Sequence, residues 1–290
     1  MLILQAVVDG VLAGGFYALM AAGVTLVFGV MEILLITQGI LVILGAYLSY
    51  ALSSHYGIDP FAGLLVTMPV MFLLGYGIYW LLIQPIKRDR IVMSLLVMVA
   101  VAALVEGLLD LIFSTDLVEI HAPYINDSYQ VGPVTLPAIY VYAFALSVLI
   151  LSVLYFILHR TKFGVSLRAT TQNPVAARLA GIVTDRVSAT TLGIGVAMAA
   201  AGGMVFGATN SFNAASSYDL ISRLIVIVIL GGLGSIGGTL AAAVLMLVIE
   251  DVVAVVWSPL WGQTTFYLVL VVVLLVRPQG LFGKRAVRAQ

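Results

Sequence analysis

Long apolar runs, separated by short polar or glycine-rich stretches, make up almost the whole chain. A helix needs about 20 apolar residues to cross the hydrocarbon core of a bilayer. By this criterion we expect membrane-spanning segments at about 4–28, 33–52, 61–83, 91–113, 138–158, 188–208, 219–236, 239–257 and 260–276. Because some of these runs are interrupted, the pattern predicts an all-α fold: a polytopic transmembrane helical bundle of about eight to nine spans, some broken.

The composition supports a membrane protein and excludes most enzyme classes. Hydrophobic residues make up 62% of the chain and charged residues 9%, whereas a soluble domain carries about 25% charged residues. There are no cysteines, which excludes disulfides, thiolate metal sites and cysteine nucleophiles. The three histidines lie at span ends or in loops without metal-ligand spacing, and no nucleophile is clustered with them. We therefore expect no catalytic site, no metal and no cofactor, in one transmembrane domain covering 1–290.

The Lys and Arg residues indicate the orientation of the chain in the membrane. They form three clusters, at 87–90, 160–186 and 277–288, and Arg223 alone falls between them. The positive-inside rule places these clusters in the cytoplasm, and the even number of spans between clusters agrees. The segment 114–137 has acidic residues but no Lys or Arg, so it faces outward. We expect a multi-pass protein of the cell inner (plasma) membrane with an outer N-terminus and a cytoplasmic C-terminus.

The cytoplasmic loop at about 159–187 has the features of two short helices. Asn173 is a good N-cap, Pro174 suits the first helical position, and Gly181 suits a left-handed terminating position. The loop also carries more apolar residues than water would favour: Phe163, Val165, Leu167, Val175, Leu179 and Ile182. It is therefore predicted either to dock a cytoplasmic partner or to lie as an amphipathic loop on the lipid headgroups.

Two interrupted segments are the candidates for a substrate path. Five glycines fall within residues 231–238, and each costs about 1 kcal/mol relative to alanine in a helix interior. Polar residues interrupt the second span, and such breaks in a transporter mark its substrate site. The alternative for the glycines is close helix packing. The predicted path residues are Thr37, Gln38, Gly39, Gly231, Gly232, Gly234 and Ser235.

Four carboxylates within predicted spans leave a different class of function open. Glu106 and Asp110 share one helix face, and Glu250 and Asp251 lie inside the eighth span. Such groups could relay protons in an ion-coupled secondary transporter. We favour the interpretation that these carboxylates lie near an outer, water-filled vestibule. Arg223 is the one intramembrane cation available to pair with them.

Several strings resemble the branched-chain amino-acid permease family of ABC importers, specifically the smaller of its two permease subunits. They are Lys162-Phe-Gly-Val-Ser-Leu-Arg168-Ala, Ala177-Arg-Leu-Ala-Gly181-Ile182-Val-Thr184-Asp185-Arg186-Val187 and Leu230-Gly-Gly-Leu-Gly-Ser-Ile236. Further matches occur in the first span, at Gly45-Ala-Tyr47 and in the ending Arg277-Pro278-Gln-Gly280-Leu-Phe-Gly283. The resemblance covers essentially the whole chain.

The resemblance implies a heterodimer of two homologous permeases in membrane lipid, two cytoplasmic ATPase subunits and an external solute-binding protein, without nucleic acid. The ATPases would contact a coupling region formed by Phe163, Gly164, Arg168, Asn173, Pro174, Arg178 and Gly181. A P-loop is absent from the sequence, which agrees with ATP hydrolysis by partner subunits. Many members carry Asn-Phe-Ala-His-Gly where this chain has Leu35-Ile36-Thr37-Gln38-Gly39, so urea, short amides and aromatic acids remain alternatives to branched-chain amino acids.

Overall fold

The computed structural model describes residues 2–86, 89–122, 124–125, 127–131, 134–277 and 279–282, and it is almost entirely helical there. The helices are α1 (Leu2–Met31), α2 (Gln38–Tyr56), α3 (Pro60–Ile78), α4 (Arg90–Phe113), α5 (Ala138–Arg160), α6 (Lys162–Gln172), α7 (Pro174–Leu179), α8 (Thr184–Thr209), α9 (Ser217–Gly231), α10 (Ile236–Val256) and α11 (Pro259–Val276). A π-helical turn, Tyr79–Ile83, extends α3, and a 3₁₀ turn, Ala214–Ser216, precedes α9. An antiparallel hairpin of β1 (Ser128–Val131) and β2 (Val134–Pro137) precedes α5.

Within these described residues, nine helices are long and apolar enough to cross a membrane. They correspond to the nine segments that the hydrophobic pattern predicts, so the polytopic helical bundle is confirmed. The helices differ in burial: the apolar window of α8 is 94% buried and that of α1 is 78% buried, but those of α4 and α11 are only 11% buried. The central helices are therefore α1 and α8, and the exposed apolar faces of α4 and α11 lie at the periphery of this chain.

Small residues allow the central helices to approach closely. A Cβ atom added to Gly10 of α1 would lie 2.6 Å from the Cα of Val248 in α10, and one added to Gly14 would lie 2.7 Å from the Cα of Val244. A Cβ on Gly203 of α8 would overlap the carbonyl oxygen of Val42 in α2. In a bilayer, where apolar burial does not drive helix association, such backbone contact gives the van der Waals energy that holds helices together.

Contacts made by the segments that connect the helices identify two opposite ends of the bundle. At one end, the side chain of Gln5 in α1 donates to the carbonyl of Thr135 at 2.6 Å, and Val118 forms a β-bridge with Phe212. At the other end, the amide of Leu281 donates to the carbonyl of Leu230 at 2.7 Å. The first end carries the 114–137 segment, and the second carries the α5–α8 connection with its basic residues. We call them the outer and inner ends.

The two interruptions differ from their predicted positions. The first is an extended segment from Glu32, which has a positive φ of 55°, to Thr37, and α2 begins at Gln38 rather than near residue 33. The second spans residues 232–235, where Gly232 and Gly234 have φ values of 86° and 81°. These left-handed conformations end α9 at Gly231, five residues before the predicted end, because a helix cannot continue through them.

The close contact of α8 with α2 predicts opposite effects for two Gly→Ala substitutions. Gly203→Ala places a methyl group against backbone atoms, so it should destabilise the fold by about 1–3 kcal/mol. Gly107→Ala in α4 has open space around the new methyl group and should leave stability unchanged or raise it by up to about 1 kcal/mol. Thermal unfolding in detergent measures both. Equal effects of the two substitutions would contradict the packing described for Gly203.

Candidate functional site

A cavity of about 610 Å³ opens at the outer end, between α1, α5, α9 and α10. This volume lies in the range of small-molecule binding sites. Its charged lining residues are Asp9, Asp219, Arg223, Glu250 and Asp251, and its apolar lining includes Ala6, Ala13, Phe16 and Leu247. The outer cavity thus combines an apolar wall with acidic groups and one cation.

Arg223 connects three helices beside this outer cavity. Its Nη1 donates to both carboxylate oxygens of Glu250 at 2.8 Å, and its Nε donates to Asp219 at 3.0 Å. The guanidinium also lies 5.7 Å from the ring centre of Phe266 in α11. Glu250 precedes the end of α10 at Val256 by six residues, about 9 Å along the helix. The ion pair is therefore below the outer helix ends, where a charge without a partner would be costly.

The acidic groups outnumber the cation in the outer cavity. Asp9 accepts hydrogen bonds from the side chain of Gln5 at 3.0 Å, and Asp251 follows Glu250 directly in α10. With Glu250 and Asp219 bound to Arg223, the carboxylates of Asp9 and Asp251 leave an excess of negative charge. This arrangement attracts a cationic group such as an ammonium.

A second cavity, of about 620 Å³, lies at the inner end. Its polar lining residues are Glu32, His159, Arg168 and Thr171, together with Thr25 of α1, and its other lining includes Gly29, Leu233 and Gly234. Gly29 lies directly against Gly234, since a Cβ added to Gly29 would be 3.6 Å from the Cα of Gly234. The end of α1 and the second interruption thus share one cavity.

The two cavities are separated along the central helix α1. Tyr17 lines the outer cavity and Thr25 lines the inner one, eight residues or about 12 Å apart. Both residues are buried, and the hydroxyl of Thr25 lies 2.9 Å from that of Thr239 in α10. Between the cavities α1 is packed on all sides, so the structure has no continuous opening along it.

The glycine run forms a turn that begins α10. Gly234 lines the inner cavity, and Ser235 caps α10 by accepting a hydrogen bond from the amide of Gly238 at 3.3 Å. Gly231 lies against the backbone of Thr239, and Gly232 provides the left-handed conformation that ends α9. Of the four predicted path residues in this run, one faces a cavity and three build the turn.

The residues predicted at the first interruption lie in the protein core instead. Thr37 and Gln38 are fully buried, and the Gln38 amide nitrogen donates to the carbonyls of Met20 and Gly195 at 3.3 and 3.4 Å. A Cβ on Gly39 would overlap the backbone of α9. These three residues line neither of the two cavities, and the structure does not bring them together with Gly234. Glu32, five residues earlier than Thr37, is the residue of this segment that reaches the inner cavity.

The predicted caps of the cytoplasmic loop are confirmed. The Asn173 side chain accepts from the amides of Val175 and Ala176 at 3.0 Å, and Pro174 occupies the first turn of α7. Gly181 has a φ of 84°. The Gly181 amide donates to the carbonyl of Arg178, and the Ile182 amide donates to the carbonyl of Ala177. This pair of hydrogen bonds is a Schellman motif, which fixes the end of α7.

The two short helices expose an apolar surface at the inner end. Val165, Val175, Leu179 and Val183 are exposed, and Leu179 is 86% exposed. Leu167 and Ala177 are buried, and Phe163 packs partly against the core. We call the four exposed residues the inner apolar surface.

Two arginines attach α6 and α7 to the bundle. Arg168 donates to the carbonyl of Leu158 at the end of α5, and Arg178 donates through Nε to the hydroxyl of Thr184 at 2.8 Å. A Cβ atom at position 164 would overlap the carbonyl oxygen of Leu158, so glycine is required there. Arg168, Arg178 and Gly164 therefore fix the position of the inner apolar surface relative to the spanning helices.

Sequence reasoning missed the outer cavity residues Asp9 and Tyr17, and it named Arg223 as the available cation without identifying which carboxylate it pairs with. Asp219 and Arg223 are four residues apart on an otherwise apolar helix, which is a signal for an ion pair on one face. The interhelical partner, Glu250, is 27 positions from Arg223, and no local pattern identifies such a pair.

Comparisons with known proteins identify the family of the chain. The sequence model of the family described as "Branched-chain amino acid transport system / permease component" matches residues 6–276. The chain is 26% identical to the high-affinity branched-chain amino acid transport system permease protein LivH of Escherichia coli (strain K12), over 97% of this chain and 96% of the relative.

Two further relatives have similar names. Identity is 24% to the permease protein BraD of Pseudomonas aeruginosa, over 97% of this chain and 96% of the relative. It is 25% to a probable branched-chain amino acid transport permease protein LivH of Methanocaldococcus jannaschii, over 91% and 88%. No solved structure matches the chain significantly. Because the family model covers nearly all of the nine-helix bundle, the chain belongs to the branched-chain amino acid transport system permease family.

Proposed function

We propose that the chain is the membrane-spanning permease subunit of an ATP-driven (ABC) importer that moves small amino acids, branched-chain ones above all, from an external binding protein into the cytoplasm. The observation that carries this proposal is the pair of cavities at opposite ends of α1, closed off from each other. A transporter that alternates between outward and inward access must keep its path closed to at least one side at all times, and the buried central turns of α1 between the two cavities provide that closure.

The inner apolar surface is the contact that we assign to the ATPase subunits. Val165, Val175 and Leu179 are exposed on helices whose ends are fixed by specific caps, as a rigid coupling element requires. The inner cavity borders this element, because Arg168 and Thr171 of α6 line it. Movement of α6 by a partner would therefore act directly on the cavity wall. The predicted coupling residues lie on the same two helices or in the turns that follow them, and we keep them as part of the ATPase contact: Phe163, Gly164, Arg168, Asn173, Pro174, Arg178 and Gly181.

The basic clusters support the cytoplasmic location of the inner end. Arg160, Arg168, Arg178 and Arg186 all belong to the α5–α8 region at that end, and the positive-inside rule places such loops in the cytoplasm. The C-terminal segment also reaches the inner end, where Leu281 bonds to Leu230. We therefore place the C-terminus in the cytoplasm and the protein in the inner membrane, with two ATPase subunits, a second permease and an outer binding protein as partners.

The outer cavity supports an amino acid as the substrate class. Asp9 and Asp251 supply negative charge for an α-ammonium group. Within the described residues, Glu250 and Asp219 accept from Nη1 and Nε of Arg223, which leaves Nη2 as a donor for a substrate carboxylate. Phe16 and Leu247 provide an apolar wall for an aliphatic side chain. Urea and short amides carry no net charge and would not need these ions. The names of the three relatives refer to branched-chain amino acids, which fits the same wall.

An ion-coupled secondary transporter fits the carboxylates less well. A proton carrier must exchange its proton during transport, but both oxygens of Glu250 accept hydrogen bonds from Arg223. Removing the charge from one member of a buried pair leaves the other uncompensated, at a cost of about 3–5 kcal/mol. Glu250 is therefore better suited to hold α9 and α10 together than to carry a proton.

Uptake into proteoliposomes tests the energy source. We expect leucine, isoleucine and valine to enter only when the ATPase subunits, the binding protein and ATP are present with both permeases. Excess unlabelled leucine should compete, whereas urea and acetamide should not. Uptake that is driven by a proton gradient without ATP would overturn the proposal.

Two exposed leucines at opposite ends give a matched test of coupling. Leu179→Asp changes the inner apolar surface, and Leu117→Asp changes an outer loop where the side chain is 66% exposed. Because both side chains are exposed, both variants should insert and fold. Loss of an apolar contact at an interface predicts that Leu179→Asp lowers ATP-driven uptake by about tenfold, equivalent to 1.4 kcal/mol. Uptake by the Leu117→Asp protein should match the unchanged chain, and equal behaviour of both variants would argue against docking at α7.

The ion pair of α9 and α10 gives a test that separates folding from transport. Arg223→Met should lower the free energy of unfolding by about 3–5 kcal/mol, because it leaves Glu250 buried without its cation. The double substitution Arg223→Met with Glu250→Leu should regain most of that stability but not amino-acid uptake. Denaturation in detergent and uptake assays measure the two effects. Normal uptake by the double variant would show that Arg223 has a purely structural role.

A further inference from the structure

Polar side chains form a strip across the outer half of α4, α9 and α11, outside the outer cavity. We call Glu106, Asp110, Tyr218, Ser222 and Gln263 the polar strip. The Tyr218 hydroxyl donates to Glu106 at 2.7 Å, and the Ser222 hydroxyl donates to the carbonyl of Tyr218 at 2.7 Å. Gln263 donates to Asp219 at 3.0 Å. The strip therefore runs from α4, through the Tyr218–Glu106 hydrogen bond, to α9 and on to α11.

The polar strip lies within the thickness of the membrane. Glu106 precedes the outer end of α4 at Phe113 by seven residues, about 10 Å along the helix, and Asp110 precedes it by three, about 5 Å. Gln263 is four residues, about 6 Å, inside the outer end of α11 at Pro259. Since Tyr218 contacts Glu106, it lies at the same depth.

This strip is only partly covered by the rest of the chain. Tyr218 is 60% exposed and Gln263 is exposed, while Glu106, Asp110 and Ser222 are partly buried. The surrounding surfaces of α4 and α11 consist mostly of exposed apolar residues. In the described part of the chain, Asp110 has no hydrogen-bond or ion-pair partner. Carboxylates at membrane depth normally face protein or water, because lipid solvates them poorly. Lipid alone would therefore solvate the polar strip poorly.

The charges of the polar strip restrict what can cover it. It holds two carboxylates, Glu106 and Asp110, and no lysine or arginine. A two-fold contact between identical copies places the same patch of each copy together, so the four carboxylates would face one another in a medium of low dielectric constant. A subunit with its own cations or hydrogen-bond donors at this depth has the complementary chemistry.

We propose that the polar strip seats a second, non-identical membrane subunit that presents basic or hydrogen-bond-donating side chains opposite Glu106 and Asp110. The inference rests on the proposed function, which includes a second permease. Asp219 connects the two regions: it lines the outer cavity and also accepts from Gln263 of the strip. A partner on the strip would therefore border the outer cavity and complete its wall.

The chain is suited to site-specific cross-linking because it contains no cysteine. Ser222→Cys places a thiol on the strip with minimal change in size. Two exposed positions on α5 serve as controls. Ser152→Cys makes the same serine-to-cysteine change away from the strip. Ala145→Cys lies seven residues inside the outer end of α5, at a depth similar to that of the strip. Each variant is co-expressed with the tagged second permease, labelled with benzophenone maleimide in membranes and irradiated. The products are identified by tag and mass.

The expected result is an adduct of Ser222→Cys with the second permease that both α5 controls lack. Three results would overturn the proposal: an adduct between two copies of this chain, labelling of lipid alone, or equal adducts from strip and controls. Since the cross-link needs neither ATP nor substrate, it is independent of the uptake assay. An adduct without ATP-driven uptake would refute the transport function and leave the interface standing.

Charge reversal provides a second measurement. Glu106→Lys should abolish co-purification of the second permease, whereas Glu106→Gln, which can still accept from Tyr218, should weaken it. Asp116→Lys in the exposed outer loop makes the same charge change and should have no effect. Retention of the partner by the Glu106→Lys chain, with loss in the Asp116→Lys chain, would contradict the assignment of the interface.

Discussion

The close backbone contact of α1 with α8 and α10 is the constraint on which the rest of the structure depends. In lipid, helices gain little from burying apolar groups against each other, so their association relies on packing. Glycines supply that packing where α1 crosses α10 and where α8 crosses α2, with no space for a side chain. Because α1 is enclosed over its central turns, the two cavities that it lines lie towards its two ends.

The ion network of Arg223 depends on this same arrangement. Helix α9 has only 15 residues and lies between a 3₁₀ turn and the glycine turn. Its Tyr218 bonds to Glu106, which lies about 10 Å inside the outer end of α4, so α9 carries polar residues at membrane depth. Arg223 joins it to Glu250 of α10 and lies over the ring of Phe266 of α11. A buried pair of this kind adds little net stability compared with apolar packing, but removing one partner is costly because the other charge is left uncompensated. In this chain the pair lies beside the outer cavity and keeps charged groups there.

The inner end differs from the outer end in what it exposes. Its short helices α6 and α7 are held by caps, by two arginine hydrogen bonds and by a few buried residues, and they leave valine and leucine side chains exposed. In the outer half of the bundle the polar strip shows the opposite mismatch, because polar groups are left partly uncovered at the depth of the lipid. Both kinds of exposure, apolar residues towards water and polar residues towards lipid, are unfavourable for a chain on its own and would be relieved by a partner subunit. Together they describe a subunit of a larger assembly.

The sequence by itself determined the spans, the family, the clustering of basic residues in a few loops and the caps at Asn173 and Gly181, because each depends on local pattern. It also located both interruptions to within a few residues. Only the tertiary structure decided what those interruptions do: Gln38 lies in the core, whereas Glu32 and Gly234 reach the inner cavity. The pairing of Arg223 with Glu250 was likewise undecided, since helix-to-helix contacts between distant residues depend on the rotation and crossing of each helix, which hydrophobicity in a uniformly apolar span does not fix.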